Sequence, residues 1–434
     1  MIVTASDFII FDTTRTGGLR SLNESRVINF ADQCHYMNNV FHRTLPTDLT
    51  VMPFLLRMMK IVGLWGNEEH LYLFVFGCFW IVSIILFPKA VLGIGSDRFD
   101  AIAKGWSEFI FEGNMLVSMV ILSTKKDRFN ELINLLIAII KHVTHEGHPK
   151  KCIEEIRKQN STIDKFSKFY AIYCAFGPFV FCVPSLITSY MRYYDISGNN
   201  STEMRFELPM EQRFYGMRIR TNFVHYNIFV VLSLSSYCFC AFFFLIKVGT
   251  MIAMMKYCAL VFRLISIEIQ ELNHISEHIV KVRKISRIVR LHNRAYDVTQ
   301  LVEDIMNIPL MMQLISCMMF WCLTLFYAST NFNISLLNVM VLFFLSLVET
   351  YGYCYVGTKV TSEAAAVGEA IYELPWYKES VELQNRYRFT LHRSQSRTGI
   401  TAANFFIVGH EQFGKITQMS YSFYLVLKNT LPAL

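Results

Sequence analysis

Long stretches free of Lys, Arg, Asp and Glu alternate with shorter basic ones along this chain, and the alternation predicts its architecture. Leu71–Pro88 carries none of these residues, nor do Tyr170–Met191 and Thr221–Ile246. Met306–Val348 is equally free of them and breaks at the polar run Asn331–Asn338, which divides it into two spans. A weaker span, Trp106–Leu122, contains Glu108 and Glu112, and a last one lies between Ala402 and Leu427. A hydrocarbon core of about 30 Å needs about 20 apolar residues as helix, and only helices or closed barrels satisfy their backbone there. The pattern predicts an all-α, polytopic membrane protein with about seven transmembrane helices.

The basic residues set its orientation. The loops after spans two and four and the stretch before span seven hold most of them, among them Lys125, Lys126, Arg128, Arg283, Lys284, Arg287, Arg386 and Arg388. The loop between spans one and two has few, Arg98 and Lys104 among them, and the turn between five and six has none. Basic loops stay in the cytosol, so the amino terminus is expected inside and the carboxyl terminus outside. Met1–Phe11 holds Asp7 and no Lys or Arg, so span one is expected to act as its own insertion signal. On this orientation the sequons at Asn199 and Asn200 face outward as candidate glycosylation sites.

The expected organisation is then a cytosolic segment, 1–69, with an amphipathic helix at Pro53–Trp65 that lies on the inner leaflet and anchors through Trp65. Spans one to four occupy 70–264, and spans five and six 305–361. Between them Ile265–Val302 carries an apolar stripe, Ile267, Ile269, Leu272, Ile275, Ile279, Val282, Ile285 and Ile288, and reads as one long cytosolic helix within 265–304. A second cytosolic segment, 362–401, carries another stripe at Val367, Ala370, Ile371 and Leu374, and 402–434 holds span seven. Phe129–Val143 is expected to continue span two into the cytosol. The cytosolic stripes suit either subunit assembly or internal packing.

Composition agrees with a membrane bundle. Of 434 residues 53% are hydrophobic, 37 are Phe and only 17% are charged, against roughly 25% in soluble domains. The net charge of +7 resides in the loops, which argues against a nucleic-acid partner. Most of the eleven Cys fall in or beside spans, which suits packing better than a disulfide framework. No enzyme constellation, cofactor loop or metal motif stands out, and His410-Glu411 lacks a second His. Glu411 and Lys415 form a favourable helical pair, readable as self-neutralising or as a polar pore lining.

Two stretches resemble insect odorant receptors. Ahead of span seven, Val367-Gly368-Glu369-Ala370-Ile371-Tyr372-Glu373-Leu374-Pro375-Trp376-Tyr377 contains an Ala-x-Tyr-x-x-x-Trp signature. In span seven, Ser420-Tyr421-Ser422-Phe423-Tyr424-Leu425-Val426-Leu427 looks like that family's Ser-Tyr-Ser-Tyr-Phe-x-x-Leu run, and Leu56–Trp65 adds a weaker match. With length and topology the resemblance covers essentially the whole chain. It implies the odorant-selective subunit of a ligand-gated, non-selective cation channel in the plasma membrane of olfactory neurons. The resemblance implies that such a subunit assembles with the odorant receptor co-receptor as a tetramer and gives its last helix to a shared pore. The resemblance places the gate at Tyr421, Tyr424, Leu427 and Lys428. It places a pocket for a small volatile ligand in the outer halves of spans two, three, four and six: Phe109, Phe111, Phe179, Phe181, Val183, Ile187, Tyr190, Tyr226, Phe229, Ser233, Met340, Phe343 and Phe344. Plain aromatic packing is the competing reading of both sets. The rival classes are a seven-helix G-protein-coupled receptor, which needs an external amino terminus, and a transporter, which tends to show internal repeats.

Overall fold

The computed structural model describes residues 46–66, 68–94, 99–144, 148–196, 205–331 and 335–430. The sequons at Asn199 and Asn200 lie outside the described residues. Among the described residues are ten helices: α1 (Pro53–Ile61), α2 (Leu71–Leu92), α3 (Phe99–Thr124), α4 (Lys126–Thr144), α5 (Lys150–Ile196), α6 (Phe223–Gln270), α7 (His278–Thr330), α8 (Ser335–Tyr372), α9 (Val381–Ser394) and α10 (His410–Thr430). Five of them, α2, α5, α6, α7 and α8, are long and apolar enough to cross a membrane. The two weaker spans, α3 and α10, have the length at 26 and 21 residues, but are less apolar.

Helices α5, α6 and α7 run for 47, 48 and 53 residues, whereas crossing a bilayer takes about 20. Each therefore continues far beyond any membrane, toward the end of the bundle that bears α4 and α9, here termed the basic end. Helix α6 is the central element. It is apolar on every side, a composition that fits a helix enclosed by others, and it packs against α2, α3, α5, α7 and α8. From Phe243 to Ile269 nearly every side chain is buried. Gly249 makes room for α1, since a Cβ there would meet Leu55 Cδ2 at 2.5 Å. The α1 entry is tied down by a polar chain: Met52 N donates to Tyr257 Oη at 3.0 Å, Tyr257 Oη to Asn160 Oδ1 at 2.8 Å, and Asn160 Nδ2 to the Asp48 carbonyl at 3.0 Å.

Helix α3 runs into α4 almost without interruption. Lys125 N still bonds the Ile121 carbonyl at 3.1 Å and Phe129 N the Lys125 carbonyl at 3.0 Å, so span two continues as expected from its periodicity. Three other expectations are corrected. Trp65 is not a headgroup anchor: it is buried, edge-on to Phe129 at 5.7 Å, because α1 rests on the protein through Leu55, Leu56 and Met59. Ile265–Val302 is not one helix. Helix α6 ends at Gln270, a 3₁₀ turn covers Glu271–His274, and α7 starts at His278. Asn273 and Ser276 offer the backbone competing hydrogen bonds and weaken a helix, so the stripe is broken by a turn, with Leu272, Ile285 and Ile288 all buried. Span seven does not begin at Ala402. Two short strands, β1 (Thr401–Ala402) and β2 (Phe406–Ile407), pair antiparallel with Ala402 opposite Phe406. The turn between them holds Ala403 and Asn404 at φ 47° and 62°, as hairpin turns of the primed type require. The hairpin docks on α7 through Ala403 N to the Asn307 carbonyl, 3.0 Å. It also abuts α8, where a Cβ on Gly357 would stand 2.3 Å from the Val408 carbonyl oxygen.

Candidate ligand cavity and the buried polar network beneath it

A cavity of about 310 Å³ lies between α3, α5, α6 and α8. Helices spaced for aromatic side chains leave such a space when the residues between them are small, and here Gly177, Ala241 and Cys174 supply the gap. Its walls are Phe111 and Met115 on α3, Phe181 on α5, Tyr237 and Phe244 on α6, and Leu342 and Leu345 on α8. Pro178 and Pro184 sit inside α5, each removing a backbone donor from the helix, and Pro178 lies in the cavity wall. Phe176, Val180 and Phe344 line the cavity and are exposed, so it opens sideways between α5 and α8. One charged residue, Glu112, lies in the wall.

One helical turn beyond Phe244, away from the 205–222 connection, stands a buried ion pair. Lys247 Nζ lies 2.8 Å from Glu349 Oε1 and donates to Gln313 Oε1 at 2.8 Å. Asn114 Nδ2 donates to the same Gln313 oxygen at 2.6 Å, Gln313 Nε2 to Thr350 Oγ1 at 3.2 Å, and Tyr353 Oη to Glu349 at 2.9 Å. Charges so enclosed are tolerated only when paired and hydrogen-bonded, and this network joins α3, α6, α7 and α8 at one level. A second cluster lies on the other side of the cavity. Lys89 Nζ is 2.7 Å from Glu108 Oε2, Lys104 is 3.8 Å from Glu211, and Arg220 pairs with Glu211. It ties α2 and α3 to the 205–222 connection.

Helix α8 touches both the cavity and the last helix. Val341, Leu342 and Leu345 face the cavity. Glu349 and Tyr353 enter the network, while Tyr351 packs on Phe413 at 5.4 Å and Tyr355 on His410 at 5.8 Å. Trp321 of α7 meets Phe413 at 6.0 Å. Helix α10 is otherwise bare. Of its 21 residues only Ile416 and Ser420 are buried, and Tyr421 and Val426 are 54% and 62% exposed.

The residues singled out in the sequence fall into three places. Phe111, Phe181 and Phe344 line the cavity. Tyr190, Tyr226 and Phe229 belong to an aromatic layer nearer the 205–222 connection, with Phe206 stacked on Tyr226 at 4.7 Å and Phe214 edge-on to Phe229 at 5.2 Å. Ser233 is buried on the same face of α6, its hydroxyl without a partner among the described residues. Phe179, Val183 and Ile187 project from the exposed flank of α5, Phe109 packs beside Trp106 at 5.5 Å, Phe343 beside Trp321 at 6.0 Å, and Met340 is half-buried. On α10, the Tyr421 and Tyr424 rings are 5.8 Å apart, Lys428 Nζ is 5.9 Å from the Tyr424 ring, and Leu427 is half-buried. Glu411 and Lys415 pair at 2.6 Å, both exposed. No group of three or more metal-ligating side chains occurs among the described residues. The residues not anticipated are Tyr237, Cys240 and Phe244, which continue the Tyr226–Phe229–Ser233 face by further steps of three and four, together with Lys247, Gln313 and Glu349.

The described residues thus form a helical membrane bundle with a side-opening apolar cavity and an uncovered last helix. The family model described as 7tm Odorant receptor matches residues 101–421, well over half of the 434-residue chain, and the chain belongs to that insect odorant receptor family. Among its relatives in Drosophila melanogaster, odorant receptor 85b is 26% identical over 142 residues, 32% of this chain and 36% of the relative. Odorant receptor 2a is 22% identical over 150 residues, 34% and 36% of the two. The matched stretch thus spans about a third of those relatives. The fold is also that of the olfactory receptor OR5 from Machilis hrabei, solved alone and in complex with eugenol. The complex aligns at a TM-score of 0.70 and 12% identity over 88% of this chain and 98% of that one. The other structure aligns at 0.67 and 12% over 94% and 99%.

Proposed function

We propose that this chain is the odorant-binding subunit of a heteromeric, ligand-gated, non-selective cation channel in the plasma membrane, assembled with co-receptor subunits. Its amino-terminal segment, the α6–α7 turn and residues 362–401 then lie in the cytosol, and the carboxyl terminus outside. The observation that carries the reading is the contrast between a side-opening apolar cavity within the bundle and the uncovered α10. A cavity of about 310 Å³ falls within the range of small-molecule sites, and the Machilis hrabei relative is solved with eugenol bound. A helix that buries two residues of 21 in its own chain is suited to facing other subunits and an aqueous path.

Ligand binding in the cavity bears directly on α8 through Val341, Leu342 and Leu345. Helix α8 then reaches α10 through Tyr351 and Tyr355. A ligand that binds better when α8 is displaced shifts the population toward an α10 arrangement that conducts. Tyr421, Tyr424, Leu427 and Lys428 are the proposed constriction, closing by expulsion of water from between apolar side chains. The test is current recorded from cells expressing the chain with the co-receptor under a panel of volatiles. Ligand-evoked cation current supports the proposal; absence of current from chains present at the surface defeats it.

A further inference from the structure

We propose that Glu112 is the ligand-recognising polar group of this cavity, which selects small molecules that join an apolar, ring-sized body to one N–H or O–H donor. Arylalkyl alcohols and amines are that class. The inference rests on the cavity being the ligand site, and it adds the chemistry that the site prefers.

Four carboxylates are buried among the described residues: Glu108, Glu112, Glu268 and Glu349. Three have a cation within 4 Å. Glu108 has Lys89 at 2.7 Å, Glu268 has His148 at 2.5 Å and Lys284 at 3.7 Å, and Glu349 has Lys247 at 2.8 Å. Glu112 has none, and it is the one that lines the cavity. Its neighbour in the wall is Cys240, and a thiol is a weak donor that a better one outcompetes. The nearest full charges, Lys89 and Glu108, are joined to each other. A buried carboxyl with no cation beside it carries a penalty that an incoming donor relieves. The rest of the wall suits the body of such a ligand. Phe111, Phe181, Tyr237 and Phe244 offer ring faces and edges, which attract aromatic groups and, for an amine, the cation.

The purified full chain is titrated with four compounds on one skeleton: 2-phenylethanol, 2-phenylethylamine, ethylbenzene and methyl 2-phenylethyl ether. Binding is read as the ligand-induced rise in melting temperature, for the wild type, Glu112→Leu and Glu112→Gln. The alcohol and the amine are expected to bind the wild type roughly fivefold more tightly than the ether and the hydrocarbon, as one net hydrogen bond to a buried carboxyl oxygen warrants. Glu112→Leu removes that preference and leaves the hydrocarbon unaffected or improved. Glu112→Gln, which keeps an acceptor in the same shape, retains the preference for the alcohol and serves if the Leu variant does not fold. Equal binding of all four by the wild type, binding of none, or an equal loss of all four in the variants overturns the inference. Currents in cells with the co-receptor separate it from the channel reading. Donor preference in binding without current defeats the channel alone, and current without donor preference defeats Glu112 alone.

Discussion

Helices α6 and α10 are both rich in aromatic residues, yet their surroundings are opposite. Along α6 the chain supplies a partner for nearly every side chain from Phe243 onward, including a cation, Lys247, with its own carboxylate and amide. Along α10 it supplies almost none, and the one ion pair, Glu411–Lys415, is local and exposed. The lesson is about where specificity is stored. A helix that satisfies its polar groups within the protomer fixes the protomer, and one that leaves its surface bare is, on the proposed function, free to fix how protomers meet. Perturbations of α6 should be read in folding, and perturbations of α10 in assembly and current.

The largest effect expected is on α6. Lys247→Met leaves the buried Glu349 without its cation, and breaking a buried pair costs about 3–5 kcal/mol. The melting temperature should fall sharply and little monodisperse protein should be recovered. Lys247→Met with Glu349→Met should restore most of the loss, since an apolar replacement of a buried pair is often neutral. Failure of the double variant to recover would mean that the network holds the helices by more than charge balance.

Two glycines sharpen the contrast at the next level. Gly357 of α8 accepts the hairpin backbone with no room for a Cβ, whereas Gly414 of α10 has nothing within 4 Å. Gly357→Val should cost about 1–3 kcal/mol by overpacking and disturb the entry into α10. Gly414→Val should leave protomer melting within about 0.5 kcal/mol. Equal destabilisation at both positions would contradict the difference drawn between the helices.

Smaller still for folding are the exposed residues of α10. Tyr421→Ala and Val426→Ala should change protomer stability by no more than about 0.5 kcal/mol, yet weaken co-assembly by about 1–2 kcal/mol if their faces meet another subunit. Co-purification with the co-receptor reads this directly. The smallest effect expected is at the basic end, where burial, then His148 and the Arg294, Arg287 and Arg290 charges, hold the His142 imidazole below its ordinary 6.5. The neutral form is therefore the one the fold favours. Stability is complete above about pH 6.5 and declines as pH falls through the lowered value. His142→Asn should flatten that decline in a melting series; an unchanged slope would remove His142 as its source.

The parts of the fold that read directly from the sequence are those where periodicity and burial coincide. The charge-free runs mark the cores of α2, α5, α6, α7 and α8, and the Phe129–Val143 stripe marks α4, because a buried face must recur every three or four residues. The run ending at Ile246 understated α6, since Lys247 looks like a boundary and its partner lies about a hundred residues away in sequence. Phe405, Phe406 and Ile407 look like the start of a span, although a hairpin holds them. Only backbone geometry at Ala403 and Asn404 separates the two. For the cavity, the α6 face was legible and its depth was not: Tyr226, Phe229 and Ser233 lie on the face that Tyr237, Cys240 and Phe244 carry farther along the helix. On α5, Phe179 and Phe181 point to different sides, and the rotation that sends Phe181 inward depends on packing around Pro178 and Pro184, which no single-helix pattern contains.

The central claim is that α10 faces a water-filled path shared between subunits. Single cysteines placed in turn from Met419 to Lys428, with the chain co-expressed with the co-receptor, and exposed to a charged, membrane-impermeant thiol reagent during ligand application, test it most directly. Block of the evoked current at Tyr421, Tyr424 and Lys428, with protection at positions on the opposite face, is the predicted result. Evoked current that no α10 cysteine renders sensitive, in chains shown to be labelled elsewhere, would contradict it.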